Sequence, residues 1–445
     1  MKRVTRKAYI FLLIALLCTA CIFFVSGQSS IQPEKALKST LQDFKGEIIL
    51  QIGNPKMYIE KSIDEDQNVV PLISGDRTLV PIRSIVETVG GRVEWDAVEK
   101  KITIRYAGKK IVLWVDKNEA MINNVRTTMD VAPQVINDRT MLPLRFVTEK
   151  MGAVVDWNQA DKKITLKFNR KVIFEKGMIV TSSNEESYVP QKKDPSVVAC
   201  YTLGDSSGST SIRFMEDKEI SKNKYPLDSV TVFGNRDKYP EIYQKRDRDL
   251  GQTFVTGSKE CKLDALYMRV GPKIKFDITG AKVAIQFFEV NGEPKLNDHG
   301  TPGFTGDFNR KTAPHMDDFI EGEEYRTLFV ATGELPNNLK PLDYLKFDLK
   351  EECQAMLEPN KTYAFMLMFV NRTKINSLAF FNQYIGKYKP VESNPYAGHA
   401  IRREGLPDLP DSLEERVAIQ PGTIGFPDVC TYRDFYFFVT ATPSS

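Results

Sequence analysis

The chain has 445 residues, 42% of them hydrophobic and 27% charged, and its formal net charge is +3. This composition is typical of folded globular proteins and excludes an intrinsically disordered chain. The balanced charge also argues against a nucleic-acid-binding protein, because such proteins carry a clustered basic face. At about 100–200 residues per domain, the length predicts two or three domains.

The N-terminus has the order of an export signal. A basic stretch up to Lys7 precedes an apolar run of 18 residues from Ala8 to Val25, and small and polar residues follow. Residues 1–27 are therefore predicted to be a signal peptide cleaved after Gly27. The length of the run leaves an uncleaved membrane anchor open, and Cys21 leaves lipidation open. Each alternative predicts a secreted or cell-surface protein that meets the membrane only through this segment.

Residues 46–168 contain one pattern twice, at an offset of 62 residues (139 − 77). The segment from Asp76 aligns with the segment from Asp138 and continues without a gap to Thr103 and Thr165. A unit of roughly 60 residues is marginal alone, so we predict two units, 46–106 and 107–168, that pack together as one domain. The positions that mark the repeat are Arg77/Arg139, Pro81/Pro143, Arg83/Arg145, Gly90/Gly152 and Trp95/Trp157.

Each unit is predicted to be α+β, with a small antiparallel sheet covering one helix. After a turn and an apolar strand, Pro81 or Pro143 opens the helix, because proline fits the first helical turn. Gly90 or Gly152 ends the helix, and two alternating strands follow. The buried face of the second helix is predicted to hold Leu144, Val147, Thr148 and Met151.

This pattern resembles the copper amine oxidase N-terminal-like, or stalk, domain over about residues 46–168. The resemblance implies a spacer or presentation role on an exported protein, near the cell wall. It does not imply copper oxidation, which needs three histidine ligands and a tyrosine-derived quinone in an Asn-Tyr-Asp/Glu setting. The chain has only His299, His315 and His399, all outside the repeat, and no such tyrosine motif. We therefore expect no copper and no other cofactor, apart from a structural calcium left open at Asp205–Gly208.

The repeated arginines have two interpretations. Arg83 and Arg145 are interpreted as residues that fix the helix start through pairs with Glu87 and Glu149 at i+4. The alternative is a contact to an anion or a wall polymer.

The repeated tryptophans also have two interpretations. Trp95 and Trp157 are predicted to fill the small core, because they are in phase with Val93 and Val155. The alternative is a platform on which sugars stack.

Residues 169–195 read as a polar linker, and residues 196–445 as an all-β sandwich or jelly-roll domain. The run Tyr363–Val370 is apolar on both faces, as in a strand buried inside a layered structure. The other predicted strands lie at 253–256, 265–270, 283–290, 344–349 and 435–440, and the longest predicted helix spans 413–418. Three short sequence segments resemble jelly-roll modules of secreted carbohydrate-active proteins: 250–257, 288–292 and 396–403. The resemblance implies a binding module.

A candidate binding segment lies in this C-terminal part. Within 22 positions it combines the aromatic, amide and arginine side chains that sugar sites use, and the alternative is an ordinary loop. We predict an extracellular or cell-wall glycan as the ligand. The candidate residues are Asn382, Gln383, Tyr384, Tyr396, His399, Arg402 and Arg403.

Two other function classes stay open. One is a purely structural or adhesive surface protein, which fits the stalk-like repeat. The other is a polysaccharide-degrading enzyme, for which His315 and Asp317 are the candidates, although no recognisable nucleophile or zinc motif occurs. The prediction is a non-catalytic surface protein. Its four remaining cysteines form either two disulfides or buried thiols: Cys200, Cys261, Cys353 and Cys430.

Overall fold

The fold is mostly β, with several antiparallel sheets and, among the described residues, three short α-helices. None of these helices has the length and apolar character needed to cross a membrane. The computed structural model describes residues 46–59, 62–64, 70–168, 171–202, 207–216, 247–274, 277–292, 295–297, 319–384, 398–404, 409–421, 428–430 and 433–444.

The N-terminal part consists of short strands and two helices. They are β1 (Gly46–Gln51), β2 (Met57–Ile59), β3 (Ser62–Asp64), β4 (Leu72–Ser74), β5 (Arg77–Val80), α1 (Arg83–Thr88), β6 (Arg92–Asp96), β7 (Lys101–Tyr106), β8 (Lys109–Trp114), β9 (Glu119–Ile122), β10 (Val125–Thr128), β11 (Gln134–Ile136), β12 (Arg139–Pro143), α2 (Leu144–Lys150), β13 (Ala153–Asn158) and β14 (Lys163–Phe168).

Strands from both halves of this part are exchanged between its sheets. One five-stranded sheet has the order β13-β14-β1-β2-β3 and the other β10-β9-β8-β7-β6. Strand β1 thus pairs with β14, the last strand of the N-terminal part, with Gly46 opposite Phe168. A four-stranded sheet, β11-β12-β5-β4, joins the halves where Leu142 pairs with Val80. Each of these sheets therefore contains strands from both halves.

The helices end as predicted and begin slightly later than predicted. Gly90 and Gly152 have φ values of +78° and +93°, and each donates its N–H to a carbonyl of the last turn, at Glu87 and Glu149. Pro143 is the last residue of β12, with an extended backbone, and α2 begins at the next residue. The proline therefore ends the strand, and its fixed φ aims the chain into the helix. The predicted helix face is buried: Leu144, Val147, Thr148 and Met151.

One hydrophobic cluster unites this part of the protein. It contains side chains of both five-stranded sheets and both helices, including Ile48, Ile85, Ile104, Val147 and Leu166. Because a unit of this size buries too little apolar surface by itself, the shared cluster supplies the core that each half lacks.

The elements that the structure describes in the C-terminal part are almost all strands. They are β15 (Ile173–Phe174), β16 (Met178–Ser183), β17 (Val197–Tyr201), β18 (Ser207–Arg213), β19 (Arg248–Val255), β20 (Cys261–Arg269), β21 (Lys282–Asn291), β22 (Lys295–Asn297), β23 (Phe319–Glu321), β24 (Glu324–Glu334), β25 (Tyr344–Leu349), β26 (Met356–Leu357), β27 (Thr362–Phe369), β28 (Ser377–Tyr384), β29 (Ala400–Glu404), β30 (Asp428–Cys430), β31 (Arg433–Phe435) and β32 (Phe437–Pro443), with α3 at Leu413–Val417 and 3-10 turns at Glu186–Tyr188 and Glu351–Cys353.

Two large sheets dominate this part. The larger follows β15-β24-β21-β27-β19-β18-β28-β31, with β29 and β30 attached, and the smaller follows β16-β25-β20-β32-β17, with β26 attached. Side chains of both sheets form one core cluster. The central strand β27 is buried on both faces, as predicted, because Phe365 and Leu367 join this cluster while Met366 and Met368 join a second one. Ile401 and Val417 belong to the second cluster, so the segment around α3 covers the larger sheet.

The stretch 169–195, predicted as a linker, contributes strands to both sheets. Strand β15 runs parallel to β24, and β16 pairs with β25 from Met178 to Ser183. Met178 and Val180 are buried in the core between more exposed neighbours. Such an alternation over a few residues indicates a strand. The polar residues elsewhere in the stretch favoured the prediction of a linker instead.

The two parts pack into one compact unit. Arg105 lies 2.9 Å from Glu260 and 3.5 Å from Glu358, while Lys110 also pairs with Glu260 and Arg92 with Glu358. The backbone joins the contact as well, because the N–H of Met356 donates to the carbonyl of Gly108 at 2.9 Å. We call this set of contacts the docking interface.

Candidate functional site

The predicted binding residues lie on or next to two strands of the larger sheet, β28 and β29, which do not pair with each other. Asn382 and Gln383 belong to β28, with Gln383 opposite Ser207 and Asp434. His399 directly precedes β29, which holds Arg402 and Arg403. Tyr384 is the last residue of β28, and Tyr396 lies outside the described residues.

Arg403 is a core residue, which corrects its predicted role as a ligand contact. Its side chain is 0% exposed, and its guanidinium donates to Asp249 Oδ2 (3.0 Å), Gln286 Oε1 (2.9 Å) and twice to the Ile419 carbonyl. Burial lowers the pKa of Arg403 and raises the pKa of Asp249, while their mutual attraction opposes both shifts. The guanidinium therefore ties the covering segment to the sheet and cannot reach a soluble glycan.

His399 is also buried within a hydrogen-bond chain. Its Nε2 lies 2.9 Å from Glu323 Oε2, to which the Tyr325 hydroxyl donates at 2.7 Å. On the other side Nδ1 lies 3.3 Å from Thr253 Oγ1. Burial, together with Glu323, raises the pKa of Tyr325 well above its usual range.

The order Thr253–His399–Glu323 is that of a nucleophile, a base and an orienting carboxylate. A nucleophile must reach its substrate, whereas Thr253 is fully buried. Its hydroxyl also accepts the backbone N–H of His399 at 2.9 Å. This hydrogen-bond chain therefore anchors the start of β29 and does not form an accessible catalytic centre.

Asn382 lies on the inner face of β28, beside the core. Its Nδ2 donates to Thr210 Oγ1 at 2.7 Å, and no described residue bonds its buried Oδ1. Arg402 is buried on the strand face opposite to Arg403. The predicted residues whose side chains are described thus have separate buried surroundings and do not form one open face. The sequence shows that these residues are polar, whereas their burial depends on their places in the sheet.

Trp95 and Trp157 do not fill the core, which corrects the prediction. Their side chains are 44% and 38% exposed. The predicted phase is right, because they stand opposite the buried residues Ile102 and Ile164. However, β6 and β13 are the outermost described strands of their sheets, so no further strand of the described ranges covers the outer side of each indole.

The two tryptophans have matching local structures. Each tryptophan directly precedes a tight turn, and the residue after the tryptophan caps that turn. Asp96 Oδ1 accepts two backbone N–H groups of one turn, and Asn158 Oδ1 accepts two of the other. Trp157 Nε1 donates to Gln159 Oε1 at 2.8 Å. Beside Trp95, Val98 is 95% exposed. The molecule therefore presents an accessible indole at two corresponding places.

The repeated arginines lie at the helix starts. Arg83 Nη1 is 3.3 Å from Glu87 Oε1 and donates to the Val93 carbonyl at 2.9 Å. Arg145 Nε is 3.9 Å from Glu149 Oε1. These are the i to i+4 pairs expected from the sequence, and the other marker arginines are exposed, with Arg77 bound to Asp130.

The cysteines with described side chains are free thiols, which corrects the two-disulfide alternative: Cys200, Cys261 and Cys353. Burial raises the pKa of Cys261 to about 11 and that of Cys353 to about 12. Both therefore stay protonated at neutral pH and react slowly, since the thiolate is the reactive form.

Within the described ranges, no three His, Cys, Asp or Glu side chains lie close enough to hold a metal ion. The candidates Asp205, His315 and Asp317 lie outside those ranges, so the alternatives of a calcium site and of catalysis there are not tested.

No curated protein matches the chain. A family model that matches the chain represents the N-terminal domain of copper amine oxidases and not their catalytic domain. The match covers a quarter of the chain and confirms the resemblance predicted from the repeated pattern. Residues 58–166 are a domain similar to the copper amine oxidase N-terminal domain.

Proposed function

We propose that this is an exported, non-catalytic surface protein that binds an extracellular or cell-wall polysaccharide through Trp95 and Trp157. The exposed position of both tryptophans carries the proposal. The signal-like N-terminus and the match to a non-catalytic domain support it.

Exposing an indole to water is unfavourable, because most of the ring is apolar. Tryptophan is the largest side chain and is usually well covered, and an exposed one with a polar tip is typical of contact surfaces. A flat apolar face suits the C–H face of a sugar ring, while nearby amide and carboxylate groups bond its hydroxyls. Gln159 and Asp96 are such groups, adjacent to the tryptophans.

Two equivalent contacts on one body favour a polymer ligand. If a polysaccharide engages both tryptophans, the second contact is intramolecular, which raises the apparent affinity. This arrangement needs no deep pocket and agrees with a shallow, exposed contact surface.

We also infer that the two N-terminal halves are tandem copies of one unit and that the two large sheets form a β-sandwich head. Corresponding strand, helix and turn elements at the 62-residue offset support the first inference. The common core cluster of the two sheets supports the second. The docking interface then makes the repeat a support that presents the head in a defined orientation.

The test is binding of purified cell-wall polysaccharide and a glycan array by the protein lacking residues 1–27. Trp95→Ala and Trp157→Ala should each weaken binding roughly tenfold, about 1.4 kcal/mol, and the double variant should abolish it without lowering Tm by more than a few degrees. Arg83→Ala and Arg145→Ala are the controls and should bind normally.

A folded wild-type protein that binds no glycan would contradict the proposal. It would favour the alternative of a purely structural or adhesive surface protein, for which the docking interface is the supporting observation. Loss of binding only in the arginine variants would instead indicate an anionic wall polymer. Turnover of a polysaccharide, lost in a His315→Ala/Asp317→Ala variant, would revive the enzymatic alternative.

A further inference from the structure

A groove of about 760 Å³ lies on the outer face of the β13-β14-β1-β2-β3 sheet. Its lining includes Ile49 and Tyr58 on neighbouring strands, paired with each other, and Glu47, Asp161 and Lys163 around them. The volume suits a ligand of a few sugar rings, since small-molecule sites span about 300–1,000 Å³.

The corresponding face of the other five-stranded sheet is already covered. There Val112 takes the place of Ile49: it pairs with Thr103 as Ile49 pairs with Thr165. Val112 and Thr103 are buried beside the docking interface, whereas Ile49 and Thr165 keep part of their surface exposed. Among the described residues the protein thus has two equivalent faces, one covered by its own C-terminal part and one left open.

The open face lacks the charges that hold a protein at the covered face. Docking uses Arg92, Arg105 and Lys110 against two glutamates. By strand register the equivalent positions of the open face are Val154, Lys167 and Glu47. Only one of these three positions is cationic, so an acidic protein edge of the kind that docks on the first face lacks two of its three cationic partners here.

The lining instead combines groups that bind hydroxyls. Gln51 holds its amide in place by donating to the Asp161 carbonyl at 3.1 Å and accepting from Asn54 at 3.2 Å. Glu47 and Asp161 supply exposed carboxylate acceptors, Lys163 a donor, and Tyr58 an aromatic ring.

We propose that this groove is a saccharide subsite, in which an uncharged oligosaccharide packs on Tyr58 while Glu47 and Asp161 accept its hydroxyls. The proposal rests on the proposed glycan function and extends it. The turn after Trp157 adjoins the groove, because Asp161 belongs both to that turn and to the lining. A polymer leaving the Trp157 indole over this turn would enter the groove.

The test is calorimetric titration of the protein lacking residues 1–27 with cellohexaose and chitohexaose. Tyr58→Ala and Glu47→Gln/Asp161→Asn should each raise Kd at least tenfold, whereas Tyr58→Phe keeps the ring and should raise it less than threefold. Met121→Ala, at the counterpart of Tyr58 in the other five-stranded sheet, is the control and should bind like wild type. The Tm of every variant shows that it is folded.

Wild-type affinity in both groove variants, with weakened binding in Trp157→Ala, would overturn the groove and leave the proposed function standing. Weakened binding in the groove variants but not in Trp157→Ala would support the groove and contradict the tryptophan contact. If neither hexasaccharide nor any cell-wall polysaccharide binds the folded wild type, both proposals are overturned.

Discussion

At the scale of single residues, residue type alone does not say whether a side chain serves the core or the surface. Arg403 is an arginine in a segment with the composition of a sugar site, yet Asp249 and two carbonyls hold it inside the fold. Trp95 is an indole in phase with a core strand, yet it is exposed at a sheet edge. In each case the position of the strand within its sheet decides the role.

Replacing Arg403 should destabilise the protein strongly. Arg403→Met removes the donors that compensate the buried Asp249 carboxylate, and breaking such a pair costs about 3–5 kcal/mol. Urea unfolding should show this loss, while Arg145→Ala, at an exposed pair, should change stability by less than about 1 kcal/mol. Equal effects of the two substitutions would contradict the structural role of Arg403.

At the scale of elements, the exchange of strands turns two weak units into one domain. Strand β1 pairs with β14, which lies more than a hundred residues later in the chain. The two helix ends have the same backbone conformation but different surroundings. Gly90 and Gly152 occupy the same left-handed position, but a Cβ on Gly90 would lie 3.2 Å from Arg326 Nη2, and one on Gly152 would meet open space.

The two glycines therefore form a matched pair. Gly152→Ala should cost only the backbone strain of a left-handed alanine, about 1–2 kcal/mol. Gly90→Ala should cost more, because its methyl group also presses on Arg326 at the side facing the C-terminal part. Thermal unfolding of both variants measures the difference, and equal Tm values would show that Gly90 makes no such contact.

At the scale of the whole molecule, the docking interface joins the two parts through charges that are largely removed from water. Burial alone would raise the pKa of Glu260, but hydrogen bonds from Lys110 and Arg105 outweigh it and lower that pKa. Because Glu260 pairs with residues of the N-terminal part, we expect the contact between the two parts to weaken in acid.

Stability should fall as the pH drops below the range where unfolded glutamate titrates, about 4.3. A group whose folded pKa is depressed contributes stability above its unfolded pKa and loses that contribution as pH falls through the folded pKa. Urea unfolding between pH 6 and pH 3 should therefore show a steeper loss for wild type than for Glu260→Gln. Parallel pH profiles would mean that Glu260 contributes nothing to this loss.

The sequence by itself determined the features that depend on neighbours along the chain. The doubled pattern, the helix-ending glycines, the buried helix face around Val147 and the two-faced strand Tyr363–Val370 all follow from local conformation and periodicity. Only the tertiary structure decided which strands lie at sheet edges, which polar groups are buried and where the two parts meet. The exposure of Trp157, the burial of Arg403 and the strands within 169–195 depend on partners far away in sequence, and no local pattern encodes these partners.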